Sequence, residues 1–157
     1  DSLGILARAK HQRLALLEAW GASLHGAQLP HRPAGWSADE HRLMDATIGI
    51  QRVSDEGRTL LEQGKATVES IGALLTAHHR WLSEGIEVST ARIDALLQRA
   101  AVLGACGGKI NGSGGGGTAF AVFPEGKRDA AVEAFRSEGV RVIPVELGVE
   151  GVRVEVN

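Results

Sequence analysis

The stretch from Gly107 to Thr118, Gly-Gly-Lys-Ile-Asn-Gly-Ser-Gly-Gly-Gly-Gly-Thr, constrains this chain more than any other. Seven of its twelve residues are glycine. Glycine loses more backbone freedom on folding than any other residue, so such a run is costly unless unusual backbone angles or a close approach require it. Successive peptide N–H groups without a shielding Cβ can curl into a concavity that binds an anion, phosphate above all. The same composition also suits a flexible spacer. The flanks favour a built-in loop: Lys109-Ile110-Asn111 before it and Thr118 to Phe123 after it read as strands running into the glycines. Gly112, Gly114 and Gly117 satisfy G-x-G-x-x-G, but a strand follows where a dinucleotide fingerprint needs a helix. A P-loop fails as well, because Thr118 stands where that motif needs lysine.

At 157 residues and 43% hydrophobic composition the chain suits one ordinary globular domain. Its formal net charge is −2, with no basic stripe interleaved with aromatics, so no nucleic-acid partner is expected. No apolar run approaches a membrane span, and no membrane partner is expected. The single cysteine, Cys106, allows no internal disulfide and suits a reducing, cytoplasmic setting. Asp1 in place of an initiator methionine suggests a piece of something longer.

The first two thirds read as helices. Leu3, Leu6, Leu14, Leu17 and Trp20 give a first helix ending near Gly21, and a long loop follows to Ser37. Ser37-Ala-Asp-Glu40 is a capping box that opens a second helix, running to about Gln63 with Gly64 as its stop. Its apolar face takes Leu43, Thr47, Ile50, Ser54, Gly57 and Leu61. A third helix spans about Ala66 to Leu82, with Val68, Ile71, Leu75, His78 and Leu82 on its apolar side. Ser89 is the expected cap of a fourth, which carries Ile93, Leu96, Leu97 and Ala100 and ends at Gly104. After Gly104 the period changes to two: strands around the glycines, a helix from Lys127 to Gly139, a strand with Val140, Val142 and Val145 held to an edge by Pro144, a hairpin over Leu147 to Val152, and a last strand with Val152, Val154 and Val156. The expected fold class is α+β, with helices on one face of a roughly four-stranded, mostly antiparallel sheet.

Few side chains suggest chemistry. His78 and His79, adjacent on a helix, point about 100° apart and suit no shared metal. His79 could reach a ligand, although a structural histidine is the commoner case. Asp94 near the start of the fourth helix favours the helix dipole and needs no catalytic role. Neither a catalytic residue nor a metal ligand is assigned.

Gly108-Lys-Ile-Asn-Gly-Ser-Gly-Gly-Gly-Gly117 followed by a strand resembles the third motif of the GHMP kinases, small-molecule kinases named for galactokinase, homoserine kinase, mevalonate kinase and phosphomevalonate kinase. Gly72-Ala-Leu-Leu-Thr-Ala-His-His79, Glu87-Val-Ser89 and Ile93-Asp94 resemble a galactokinase run upstream of that motif. The chain departs from galactokinases in carrying four uninterrupted glycines, as mevalonate and heptose kinases do, and in placing His78 where the serine of a Ser-His pair would stand. The resemblance implies one ferredoxin-like C-terminal domain over residues 1–157, helical over 1–104 and sheet over 105–157. It implies too that the N-terminal domain, with its phosphate loop and catalytic aspartate, is absent, so this piece alone is expected to be inactive. ATP and Mg2+ are the implied cofactors, held mainly by that domain. A sugar or another alcohol is the implied substrate, sugar being the first choice from Glu87-Val88-Ser89. Gly112, Ser113, Gly114, Gly115, Gly116 and Gly117 are the candidate phosphate loop, with Lys109 and His79 as auxiliary candidates. Two rival readings stand beside this one: a regulatory α+β module that binds a small ligand without catalysis, and a helical interaction domain tethered by its glycines.

Overall fold

A computed structural model describes residues 2–20, 35–112 and 114–145. Five α-helices occur in them: α1 (Ser2–Trp20), α2 (Ala38–Glu62), α3 (Val68–Arg80), α4 (Ala91–Val102) and α5 (Arg128–Ser137). A π turn, Trp81–Gly85, extends α3, and two strands, β1 (Gly107–Asn111) and β2 (Thr118–Val122), lie between α4 and α5.

Local chemistry explains the boundaries. Ser37 and Glu40 form the expected capping box at the start of α2, with Glu40 Oε2 accepting from Ser37 N–H at 2.7 Å and Ser37 Oγ accepting from Glu40 N–H at 3.3 Å. A second box, Thr67 with Ser70, opens α3. Thr90, rather than Ser89, caps α4, accepting from Ile93 N–H at 3.3 Å. Ser89 is diverted because its hydroxyl donates to Asp94 instead, at 2.6 Å.

α1 and α2 pack on each other, and two apolar clusters mark the contact. Ala9, Ala46, Ile86 and Val88 form one, with Trp81 and Leu82 beside it, while Leu16, Leu43 and Met44 form the other. The buried residues of α2 all fall between Leu43 and Gly49, where α1 and the π turn cover it. Its expected apolar stripe therefore stops early: Ser54 and Leu61 are exposed, and so is Val68 at the start of α3. Gly49 matters here because a Cβ on it would sit 2.2 Å from Trp81 Cε2.

β1 and β2 form an antiparallel pair in the register Gly107↔Val122, Lys109↔Phe120, Asn111↔Thr118. α3 lies against β1, and α4 lies against both strands. The inner face is set by Ile110, which is fully buried, and by Gly108. α3 and β1 meet backbone to backbone: a Cβ on Gly107 would lie 1.8 Å from Gly72 O, and a Cβ on Gly72 would lie 2.5 Å from the carbonyl carbon of Cys106. No side chain fits between them.

Two strands, not four, are present among the described residues. Residues 140–145 are not a strand, and Ile143 and Val145 are exposed. Val140 N–H is spent on Phe135 O at the end of α5, at 2.9 Å, and Pro144 has no N–H to offer a ladder. The hairpin expected over Leu147 to Val152 and the strand expected over Val152 to Val156 lie outside the described residues.

Candidate functional site: the glycine hairpin

Gly112 to Gly117 is the connection of the β1–β2 hairpin, because Asn111 and Thr118 at its ends are paired. A tether between independent units is thereby excluded. Gly112, Gly114, Gly115, Gly116 and Gly117 have φ of 76°, 86°, 72°, 127° and 84°, the half of backbone space that a Cβ disfavours. Ser113 lies outside the described residues.

The loop has two unlike sides. Gly114 is buried against Val88: a Cβ there would lie 2.6 Å from Val88 O and 2.7 Å from Val88 Cβ. Gly115 N–H donates to Val88 O at 2.7 Å. These two glycines bind the loop to the segment that follows the π turn. On the other side, a Cβ on Gly112, Gly116 or Gly117 would meet no atom within 4 Å. Those three glycines are needed for their backbone angles and leave an open, unshielded face.

Val88 is itself held firmly. It is buried, and its N–H donates to Leu82 O at 3.0 Å. Glu87 beside it takes φ 59°, rare for a residue with a side chain. Its carboxylate lies 3.5 Å from Arg42, which also donates to Gly85 O and pairs with Asp39 at 3.3 Å.

The auxiliary candidates separate. His79 does not line the loop; it is largely buried, and its Nε2 lies 2.9 Å from Asp94 Oδ1 while its Nδ1 accepts from Ile110 N–H at 3.3 Å. Ile110 N–H can donate only to an unprotonated Nδ1, so the ring proton sits on Nε2 and points at the carboxylate. Ser83 adds a hydroxyl at 3.2 Å from Asp94 Oδ2. Burial alone would raise the Asp94 carboxyl, but hydrogen bonds from Ser89, His79 and Ser83 outweigh it and hold the group below its ordinary value. This cluster was not foreseen from the sequence. The sequence signal was that His79, Ser89 and Asp94 all fall in the run that resembles galactokinases upstream of the glycine motif.

Lys109 sits on the outward face of the hairpin, its Nζ 5.3 Å above the Phe120 ring and 2.8 Å from Ile110 O. Partial burial lowers its pKa from the ordinary lysine value. His78 is lowered as well, by burial first and then by the Lys109 charge. Among the described residues, no group of three His, Cys, Asp or Glu side chains is placed to hold a metal ion, and no helix is long and apolar enough to cross a membrane.

Comparison with known proteins adds an independent line. The chain is similar to "Mevalonate kinase" of Pyrococcus furiosus, 37% identical over 87 residues, covering 55% of this chain and 25% of that protein. It is similar also to "Galactokinase" of Thermococcus kodakarensis, 36% identical over 73 residues, covering 46% of this chain and 20% of that protein. The matches thus span about a quarter of the length of the curated relatives. Among solved structures it shares its fold with the L. major mevalonate kinase crystallised with R-mevalonate, at TM-score 0.57 and 22% identity, over 85% of this chain and 34% of that one. The family described as GHMP kinases C terminal matches residues 61–141, from the end of α2 through β1, the glycine loop, β2 and α5, and the chain accordingly belongs to the GHMP kinase family, of which it carries the C-terminal domain.

Proposed function

We propose that this chain is the C-terminal domain of an ATP-dependent kinase that phosphorylates a small alcohol, and that the open side of the glycine hairpin faces or braces the triphosphate. The observation that carries the reading is that the family match runs through a hairpin whose glycines are closed on one side and open on the other. Backbone N–H donors without side chains suit phosphate oxygens, and phosphoryl transfer depends chiefly on positioning and charge stabilisation. ATP supplies the phosphoryl group that moves to the acceptor oxygen. Gly112, Gly116 and Gly117 would hold or brace the phosphates, while Gly114 and Gly115 fix the loop to Val88. Mg2+ would be held largely outside the described residues, by the phosphates and by a partner domain that carries the catalytic base. Lys109 could add positive charge on the outward face, although its Nζ is already engaged.

The acceptor follows less directly. Glu87, Val88 and Ser89 are occupied within the protein, with Arg42, Gly115 and Asp94, so they express no preference of their own. A sugar hydroxyl and mevalonate are therefore equal first acceptors to test, since galactokinase and mevalonate kinase both stand among the relatives.

Gly116→Asp in the full-length enzyme that contains this chain is the test. Its side chain enters open space, where a carboxylate opposes the phosphates, and the strain that φ 127° imposes on any side chain is shared by Gly116→Asn, so the two variants differ in charge. Turnover with ATP should fall by roughly a hundredfold or more, and Gly116→Asn, equal in size but uncharged, should fall much less. Equal effects of Asp and Asn, or undiminished turnover, would overturn the phosphate-facing reading. Metabolite binding with no ATP consumption by the unaltered enzyme would favour a non-catalytic ligand module instead.

A further inference from the structure

The hairpin is gripped at two points, and both grips lead to one carboxylate. At its base, Ile110 N–H donates to His79 Nδ1 at 3.3 Å, and the opposite nitrogen of that ring lies 2.9 Å from Asp94 Oδ1. At its tip, Gly115 N–H donates to Val88 O at 2.7 Å, and the next residue, Ser89, gives its hydroxyl to the same Asp94 oxygen at 2.6 Å. Ser83 in the π turn donates to the other oxygen at 3.2 Å. The path therefore closes on itself, from Asp94 through His79 to β1, along the hairpin to Gly115, and back through Val88 and Ser89.

An ionised carboxylate suits the centre of such a ring because it only accepts, and it has two oxygens to share among several donors. Its bonds to donors are also stronger than those between neutral groups. By accepting a hydrogen bond from Nε2–H it fixes the His79 tautomer, which leaves Nδ1 free to accept from β1. By receiving the Ser89 hydroxyl it anchors the residue next to the acceptor of the loop tip. A role confined to the helix dipole would need none of this, since a carboxylate in the first turn of α4 is favourable without side-chain partners.

We propose that Asp94 is the positioning residue of the glycine hairpin, setting the place of its base through His79 and of its tip through Ser89 without touching a ligand. The consequence for catalysis rests on the phosphate-facing reading above; the mechanical claim does not. Two measurements separate them. The first is amide hydrogen exchange. Asp94→Ala should speed exchange at both Ile110 and Gly115 by at least about tenfold, with Ala46 in the α1–α2 core unmoved. Asp94→Asn, whose side-chain oxygen still accepts, should fall between. Ser89→Ala should release Gly115 alone, which keeps the idea testable if Asp94→Ala does not fold. The second is steady-state kinetics of the full-length kinase, in which Asp94→Ala should raise the KM for ATP by about tenfold and leave that for the acceptor within about twofold, with Asp94→Asn rescuing most of the loss. Faster exchange at only one of the two amides in Asp94→Ala, or at neither, would overturn the positioning role. Faster exchange at both with an unchanged KM for ATP would uphold that role and overturn the phosphate-facing reading instead.

Discussion

Replacing Gly114 by alanine asks how tightly the loop is held, and Gly117→Ala supplies its control. Both residues have nearly the same backbone angle, φ 86° and 84°, so an alanine at either meets the same left-handed penalty, about 1–2 kcal/mol. They differ in surroundings: the new methyl at 117 meets nothing within 4 Å, whereas at 114 it falls 2.6 Å from Val88 O and 2.7 Å from Val88 Cβ. Ordinary carbon contacts lie near 3.5–4.0 Å, so something must move. Val88 is buried and held through its own N–H to Leu82 O, which leaves the loop to give way. Forcing a methyl into a packed site costs about 1–3 kcal/mol, and losing the Gly115 to Val88 bond adds about 1 kcal/mol. Gly114→Ala should therefore lose about 3–6 kcal/mol and Gly117→Ala only about 1–2 kcal/mol. Urea unfolding followed by tryptophan fluorescence and by circular dichroism measures the gap, which in heat denaturation should appear as a Tm difference of about 4–8 °C or more for a chain of this size. Two variants equal within about 0.5 kcal/mol would show that the Val88 contact does not hold the loop.

Three further outcomes follow from the same geometry. Gly49→Ala should cost about 1–3 kcal/mol and shift tryptophan emission, because its methyl would overlap the Trp81 ring; unchanged stability and emission would contradict that packing. Thr90→Ala should destabilise the protein by about 1 kcal/mol through loss of the α4 cap, and urea unfolding that leaves it level with the unaltered protein would reject Thr90 as the cap. For Asp94 the folded carboxyl lies below its unfolded value, so its contribution is complete above the unfolded value and disappears as pH falls through the folded one. Stability measured across the acid range should accordingly fall less steeply in Asp94→Asn than in the unaltered protein, and parallel acid limbs would refute this.

Much of the architecture was legible because it is written in local chemistry. Ser37 with Glu40, and the stops at Gly64, Gly104 and Gly139, act within a few residues of themselves, and the structure has them at positive φ or in the cap as expected. The glycine run was legible as a loop built into a sheet because strand-like residues adjoin it on both sides. Other features depend on choices that neighbours make. Ser89 and Thr90 are both good caps, and only the position of Asp94 decides which of them turns away. The box at Thr67 hides because Ser70 takes the place where glutamate or glutamine is the usual sign. The π turn at Trp81–Gly85 exists where Gly49 admits the indole from another helix, and His79 finds its acceptor role on Ile110, 31 residues away. No periodicity reports such meetings. The strand expected over 140–145 fails for a local reason that was visible in part, since Pro144 had already weakened it.

The contact of Gly72 with Gly107 bears on how this domain could be remodelled. With two main chains touching and nothing compressible between them, the foot of the hairpin cannot be thickened without prising a helix and a strand apart. Its crest is constrained differently: beyond Gly116 and Gly117 there is room, but their φ of 127° and 84° strain any side chain set there. Attempts to redirect such a domain toward another compound should therefore leave the glycines of both foot and crest in place and vary residues elsewhere.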